Sequence, residues 1–361
     1  MRLMGAPVST ARVTIWNHGE GMLEGLRESG SVGREEPGLR ARAGVMRKGW
    51  LPIVGAVLAL SLAGCPESAT YDFPGPYRVE QFAFRLSDSS EASVFHPSRE
   101  HHVEGAPLIV FSSGWNQLRK AYFGYATHLS EWGYVAVVRF YPSLGASGFG
   151  DAFLDEHVGQ VFEIMDWCAE QNLSPESPLY GMVDASNVGT AGHSMGVVVS
   201  VLAALDDDRI NAVVGLDGNY ADAETDQRMP NPIERDPAML FLNGGIGAWC
   251  TRTPFALYHF YDVVNPPAMD VVVVGSDHMD FMENDCGFLC EAGNVVCPQG
   301  TADEQQVRDL AARYMIAWFN VYLRDQPEFE LYFNGTFSAQ DEANGRVIIR
   351  RKMTAEMPAE R

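Results

Sequence analysis

Ser194 stands at the centre of Gly192-His193-Ser194-Met195-Gly196, a pattern that turns a side-chain hydroxyl into a nucleophile. An apolar strand signal from Val188 to Ala191 leads into it, and Met195 to Leu205 leaves it with helical character. A nucleophile on so sharp a strand-to-helix turn needs small residues on both flanks, because the backbone is strained and a Cβ would clash. The turn lifts the hydroxyl above the sheet. It also puts the Met195 N–H at a helix start, where it can donate to a developing oxyanion. A serine hydroxyl is weak until a base takes its proton, so a histidine and an orienting carboxylate are required.

The strand predicted over Val271 to Gly275 is followed by Ser276-Asp277-His278-Met279-Asp280-Phe281. That makes His278 the candidate base, since an ordinary imidazole titrates near neutrality. The competitors are weaker. His193 sits inside the turn and is expected to point away from the nucleophile. His101 and His102 precede the core sheet, and His128 and His157 fall on predicted helices. For the acid, Val213-Val214-Gly215-Leu216 ends in Asp217-Gly218, just past a strand's C-terminal end, with Asp222 as runner-up. A strand-end aspartate is also a common turn former. The next strand ends Phe241-Leu242-Asn243-Gly244-Gly245 with no acid. The chain order Ser, Asp, His is that of hydrolases built on an α/β sheet.

The elements that must hold these residues alternate regularly. Val79 to Phe95 reads as two antiparallel edge strands, and Pro107–Ser112 and Tyr134–Phe140 as buried strands. Ile210–Leu216, Ala238–Leu242 and Met269–Val274 complete the strands. Helices are expected over Leu118–Trp132, His157–Gln171, Met195–Leu205 and Glu304–Leu323. This predicts an α/β domain with a doubly wound, mainly parallel sheet covered by helices on both faces. Only about 20 residues separate Asp217 from the next strand, too few for a large cap domain. An open cleft is therefore expected.

The stretch from Pro107 to Phe140, the serine turn and the closing helix resemble the α/β-hydrolase superfamily. The similarity is greatest to the branch with secreted platelet-activating factor acetylhydrolases, plant chlorophyllases and cutinase-like polyester hydrolases. It covers roughly residues 79 to 335. The resemblance implies that Asp217 is the acid and His278 the base, and that the Trp115 N–H is the second oxyanion donor beside Met195. It further implies that Gly114 lets the backbone approach the substrate. In Phe111-Ser112-Ser113-Gly114-Trp115, Ser113 replaces the histidine usual in relatives, a change that backbone donors tolerate. Arg313 to Leu323 resembles the family's closing helix. The implied activity is ester hydrolysis through an acyl-enzyme, with no metal or organic cofactor.

Ahead of this domain, Arg47 and Lys48 precede an apolar run of 12 residues, Leu51 to Leu62, and then Leu62-Ala63-Gly64-Cys65. The run is too short for a bilayer-spanning helix, which needs roughly 20 residues, and reads as an export signal. Leu-Ala-Gly-Cys resembles a bacterial lipobox, which implies lipidation of Cys65 and anchoring to the cell envelope. Residues 1–45 then read as a mis-assigned upstream extension, 46–65 as the signal, 66–78 as a Pro/Gly-rich tether, 79–335 as the hydrolase domain and 336–361 as a polar tail. Removing residues 1–65, with 8 Lys/Arg and 5 Asp/Glu, takes the net charge from −21 to −24. Such an acidic chain is a poor partner for nucleic acid or an anionic surface. Cys168, Cys250, Cys286, Cys290 and Cys297 suit an oxidising compartment, with one or two disulfides expected in the 286–297 loop. A zinc site is the weaker reading, since neither a close Cys-x-x-Cys nor a His-x-x-x-His accompanies them.

The expected substrate is a small-molecule, lipid or polymer ester, reached from a membrane through the lipid anchor. Action on amides or acyl transfer is equally compatible with these residues. The rival of a different class is a surface-anchored binding lipoprotein that keeps the fold without the chemistry.

Overall fold

The computed structural model describes residues 71–101, 103–115, 117–140, 151–218, 237–246, 260–283 and 299–353. The signal, Cys65, Asp222, the segment where a cap would be inserted, and Cys250, Cys286, Cys290 and Cys297 lie outside these residues.

The strands are β1 (Val79–Arg85), β2 (Glu91–Pro97), β3 (Ala106–Ser112), β4 (Val135–Arg139), β5 (Val183–His193), β6 (Ile210–Leu216), β7 (Ala238–Gly244), β8 (Ala268–Val273) and β9 (Val347–Lys352). They form one sheet in the order β1-β2-β4-β3-β5-β6-β7-β8-β9. The six from β4 to β8 run parallel, while β1, β2 and β9 pair antiparallel. This is the doubly wound, mainly parallel architecture expected from the alternation of strands and helices.

Alternation along each strand fills two cores. On β3, Leu108 and Val110 face one layer, where they meet Ile164 and Met165 of α2 (Asp151–Leu173) and Val198 and Val201 of α3 (Met195–Asp206). Ile109 and Phe111 face the other, built from Tyr125 and Leu129 of α1 (Phe123–Glu131) and Tyr314 and Trp318 of α4 (Glu304–Arg324). With both faces covered, the inner strands read as continuous apolar runs, which is why they were legible. Because β3 connects to β4 on one side and the chain then returns to β5 on the other, the connections diverge between β3 and β5. In open α/β sheets ligands bind at such a switch point, outside the strands' C-terminal ends.

The structure corrects several expectations. β2 is not an edge strand, since it lies between β1 and β4. The 118–132 helix begins as a 3-10 turn (Arg119–Tyr122) before α1, and α2 begins at Asp151 rather than His157. The tether is docked from Tyr71 onward. Tyr71 is buried, Phe73 stacks on Trp132 at 4.7 Å, and the Tyr77 N–H donates to the Glu131 carbonyl at 3.1 Å. Pro and Gly spacing suggested a linker, but three aromatic rings bury area that outweighs the ordering cost.

The tail is likewise structured, with short helices α5 (Leu331–Asn334) and α6 (Thr336–Ala343) before β9. β9 pairs along β8, and its Arg350 Nε donates to the buried Asp270 carboxylate at 2.8 Å. Its charged residues read as solvated, yet they neutralise an inward acid and cover the sheet edge.

Candidate active site

Ser194 is the hinge between β5 and α3, with φ of 56° and ψ of −123°. A non-glycine residue in that region is strained, and close packing fixes it there. A Cβ on Gly192 would sit 2.2 Å from the Gly196 carbonyl oxygen, and one on Gly196 would sit 2.1 Å from that of Ser112. The two glycines are thus required by close backbone approach, and the second brings the turn against the end of β3. The Ser194 N–H donates to the Leu216 carbonyl at 3.0 Å, which ties the turn to the end of β6. Met195 is buried at the start of α3.

One residue past β6, Asp217 also has a positive φ, 42°, and its N–H donates to Leu242 at 2.7 Å. Its buried carboxylate has two partners. Oδ1 accepts the Gly244 N–H at 2.9 Å, and Oδ2 lies 2.6 Å from His278 Nδ1. Burial alone would raise the Asp217 pKa. The His278 hydrogen bond and charge, with the Gly244 amide, outweigh it and hold the carboxyl below its ordinary value. The strand end that lacks an acid, Asn243-Gly244, therefore supplies the amide that supports the acid of its neighbour.

His278 rides on a short loop after β8 that its two aspartates hold in shape. Asp277 accepts the Met279 N–H at 2.7 Å and the Gly300 N–H at 2.5 Å, and Asp280 accepts the Asp277 N–H at 2.8 Å. Arg308 of α4 donates to the Met282 carbonyl at 2.9 Å, so the closing helix supports this loop as well as filling the core.

The loop after β3 carries Ser113, Gly114 and Trp115. Ser113 is fully buried, and Trp115 is 45% exposed. The sequence-predicted Ser194, Asp217 and His278 thus sit on the ends of β5, β6 and β8, on one edge of the sheet, with Trp115 after β3. His101, His128 and His157 lie elsewhere. His157 is buried against Arg139, and burial with that positive charge pushes its pKa down to about 4. Among the described residues, no group of acidic, His or Cys side chains could hold a metal ion.

Two side chains at the site carried no sequence signal for their role. Tyr122, from the 3-10 turn before α1, lies 2.8 Å from His193 Nδ1 and accepts the Gly114 N–H at 3.1 Å. His193 is buried behind the nucleophile, its Nε2 2.9 Å from the His278 carbonyl oxygen. Its expected direction, away from the nucleophile, gave no hint of that partner.

This sheet order, with a strained serine between strand and helix and an Asp–His pair reaching across β7 from the ends of β6 and β8, has a counterpart among known families. The family model for chlorophyllase matches residues 78–333. The chain belongs to the chlorophyllase family. This chlorophyllase-family protein is accordingly an α/β-hydrolase, and the chemistry of its family is ester hydrolysis. The match ends within α5, so β9 lies beyond the matched region. Comparison with curated proteins finds no match.

Proposed function

We propose that this protein hydrolyses carboxylic esters through an acyl-enzyme on Ser194, with His278 as base and Asp217 as its orienting acid. The observation that carries this reading is the buried 2.6 Å contact between His278 Nδ1 and Asp217 Oδ2, beside the strained Ser194 turn. An ionised carboxylate only accepts, so Nδ1 carries the proton and Nε2 keeps its lone pair. Nε2 takes the Ser194 proton as Oγ attacks the ester carbonyl. The Met195 and Trp115 N–H groups hold the oxyanion, each contributing on the order of 3 kcal/mol. The imidazolium, stabilised by Asp217, returns its proton to the leaving alkoxide as the acyl C–O bond breaks. Water, deprotonated by the same Nε2, then attacks the acyl-enzyme and frees the acid and the serine. The exposed Trp115 and half-exposed Leu118 beside the β3 loop favour an ester with a bulky apolar group.

Labelling with a fluorophosphonate, alongside turnover of a short-chain p-nitrophenyl ester, tests this. Wild type should label and turn over, and S194A should do neither. A folded wild-type protein that resists labelling overturns the reading and leaves the binding lipoprotein in its place.

A further inference from the structure

The base and the oxyanion donors are carried by separate loops, after β8 and after β3. Acyl transfer needs them in register to a fraction of an ångström. A chain of hydrogen bonds buried beneath the nucleophile joins the two. The Gly114 N–H meets Tyr122 Oη at 3.1 Å, Tyr122 Oη meets His193 Nδ1 at 2.8 Å, and His193 Nε2 meets the His278 carbonyl oxygen at 2.9 Å. Its ends are the backbone of the oxyanion loop and the backbone of the base itself.

The direction of every bond is forced by what each atom can do. The His278 carbonyl only accepts, so His193 Nε2 must carry the proton. In a neutral ring, Nδ1 is then an acceptor. The Gly114 N–H only donates, so Tyr122 accepts it and sends its own single proton onward. Met282 Sδ, 3.1 Å from the same hydroxyl, is a competing acceptor, but a thioether is far weaker than an imidazole nitrogen. We propose that Tyr122 and His193 are positioning residues, a one-directional relay that locks the oxyanion loop to the His278 loop. The proposal rests on the reading of Ser194, Asp217 and His278 given above.

Three further features support it. There is little slack at the near end, since a Cβ on Gly114 would lie 3.1 Å from both His193 Nδ1 and Tyr122 Oη. His193 and His278 are packed ring to ring, with centroids 4.5 Å apart. A cation at His193 would therefore oppose the imidazolium that His278 becomes during the reaction. His193 is held neutral, its pKa pushed down to about 3 by burial and then by the charge of His278, against the opposing pull of Asp217. The groups facing it are Tyr122, His278 and Asp217, from three different segments.

The test compares Y122F, H193L and H193Q with wild type by fluorophosphonate labelling rate, kcat, KM and thermal midpoint. Y122F keeps the ring and removes only the relay's central hydroxyl. H193L removes both ring nitrogens, whereas the H193Q amide restores a donor and an acceptor. The expected result for Y122F is a fall in kcat and labelling rate of about tenfold, the worth of one positioned hydrogen bond, with KM unchanged. H193L should fall at least as far, and H193Q should recover most of that loss. In 15N spectra, His193 should hold the Nε2-protonated neutral form from pH 8 to pH 5, and its Nδ1 resonance should shift in Y122F. Wild-type kcat in Y122F and H193L, equal losses in H193L and H193Q, or a His193 that titrates near pH 6.5 would each overturn the relay. A wild type that never labels is a separate outcome: it removes the triad reading and the positioning role together.

Discussion

At the scale of single residues, each member of the candidate triad was readable because its chemistry needs a local backbone context that leaves a mark. Ser194 needs two flanking glycines, and Asp217 and His278 follow apolar strands directly. Tyr122 left no such mark. A tyrosine within an expected helix is ordinarily core, and its role depends on Gly114 and His193, 8 and 71 positions away along the chain. Asp217 offers the sharpest single-residue test. Asp217→Asn keeps the shape but presents an amide to Nδ1, which favours the wrong imidazole tautomer. A loss in kcat on the order of 10^4-fold with KM nearly unchanged is expected. Near-wild-type turnover in that variant would move the acid to another carboxylate, Asp222 first.

At the scale of elements, the serine turn works because three backbone segments meet without side chains between them. Gly196→Ala would place a Cβ 2.1 Å from the Ser112 carbonyl and 2.8 Å from that of Ser113. The end of β3 must then move, and the oxyanion loop moves with it. A stability loss of about 1–3 kcal/mol is expected from urea melts, together with a drop in kcat. A variant equally stable and equally active would mean the two segments are not in close contact. The elements the sequence misread are those whose partners are remote. β9 is a charged strand, and its Arg350 is explained by the remote Asp270, Asp262 and Tyr261. Residues 71–78 are rich in Pro and Gly, and they dock through remote partners such as Tyr125, Trp132, Glu131 and Tyr332.

For the whole molecule, buried neutral histidines govern the response to acid. Burial pushes His193 down to about 3 and, together with Arg139, His157 down to about 4. Each therefore binds its proton more weakly folded than unfolded, and the stability this contributes is full above the ordinary histidine value. It is lost as pH falls from about 6.5 toward those lower values. Asp217, with its pKa lowered, loses its contribution at still lower pH. Asp280 acts in the opposite sense, since burial lifts it to about 6, so protonating it favours the fold as pH falls through that region. Burial also lowers His96 and lifts Asp270, Asp309 and Glu330. The large downward shifts of His193 and His157 outweigh the lift of Asp280 as pH falls below 6.5, which leaves a net loss. The unfolding free energy should hold between pH 8 and 7 and decline below 6.5, with a shallower decline in H193Q. A profile that stays flat to pH 4 would contradict the buried neutral state of both rings.

The sequence by itself determined the strands of the parallel core and put Ser194, Asp217 and His278 directly after three of them. These follow from local rules: apolar runs of strand length, helical spacing between them, and glycines where a backbone must turn sharply. What only the tertiary structure decided is which side chains serve the site from a distance. The strand order puts β6 beside β5 and β7, so Gly244 can hold Asp217, and it brings the loops after β3 and β8 to opposite ends of the Tyr122–His193 chain. A hydrogen bond across a sheet depends on strand order and on the packing of buried groups, and neither is encoded by spacing along the chain.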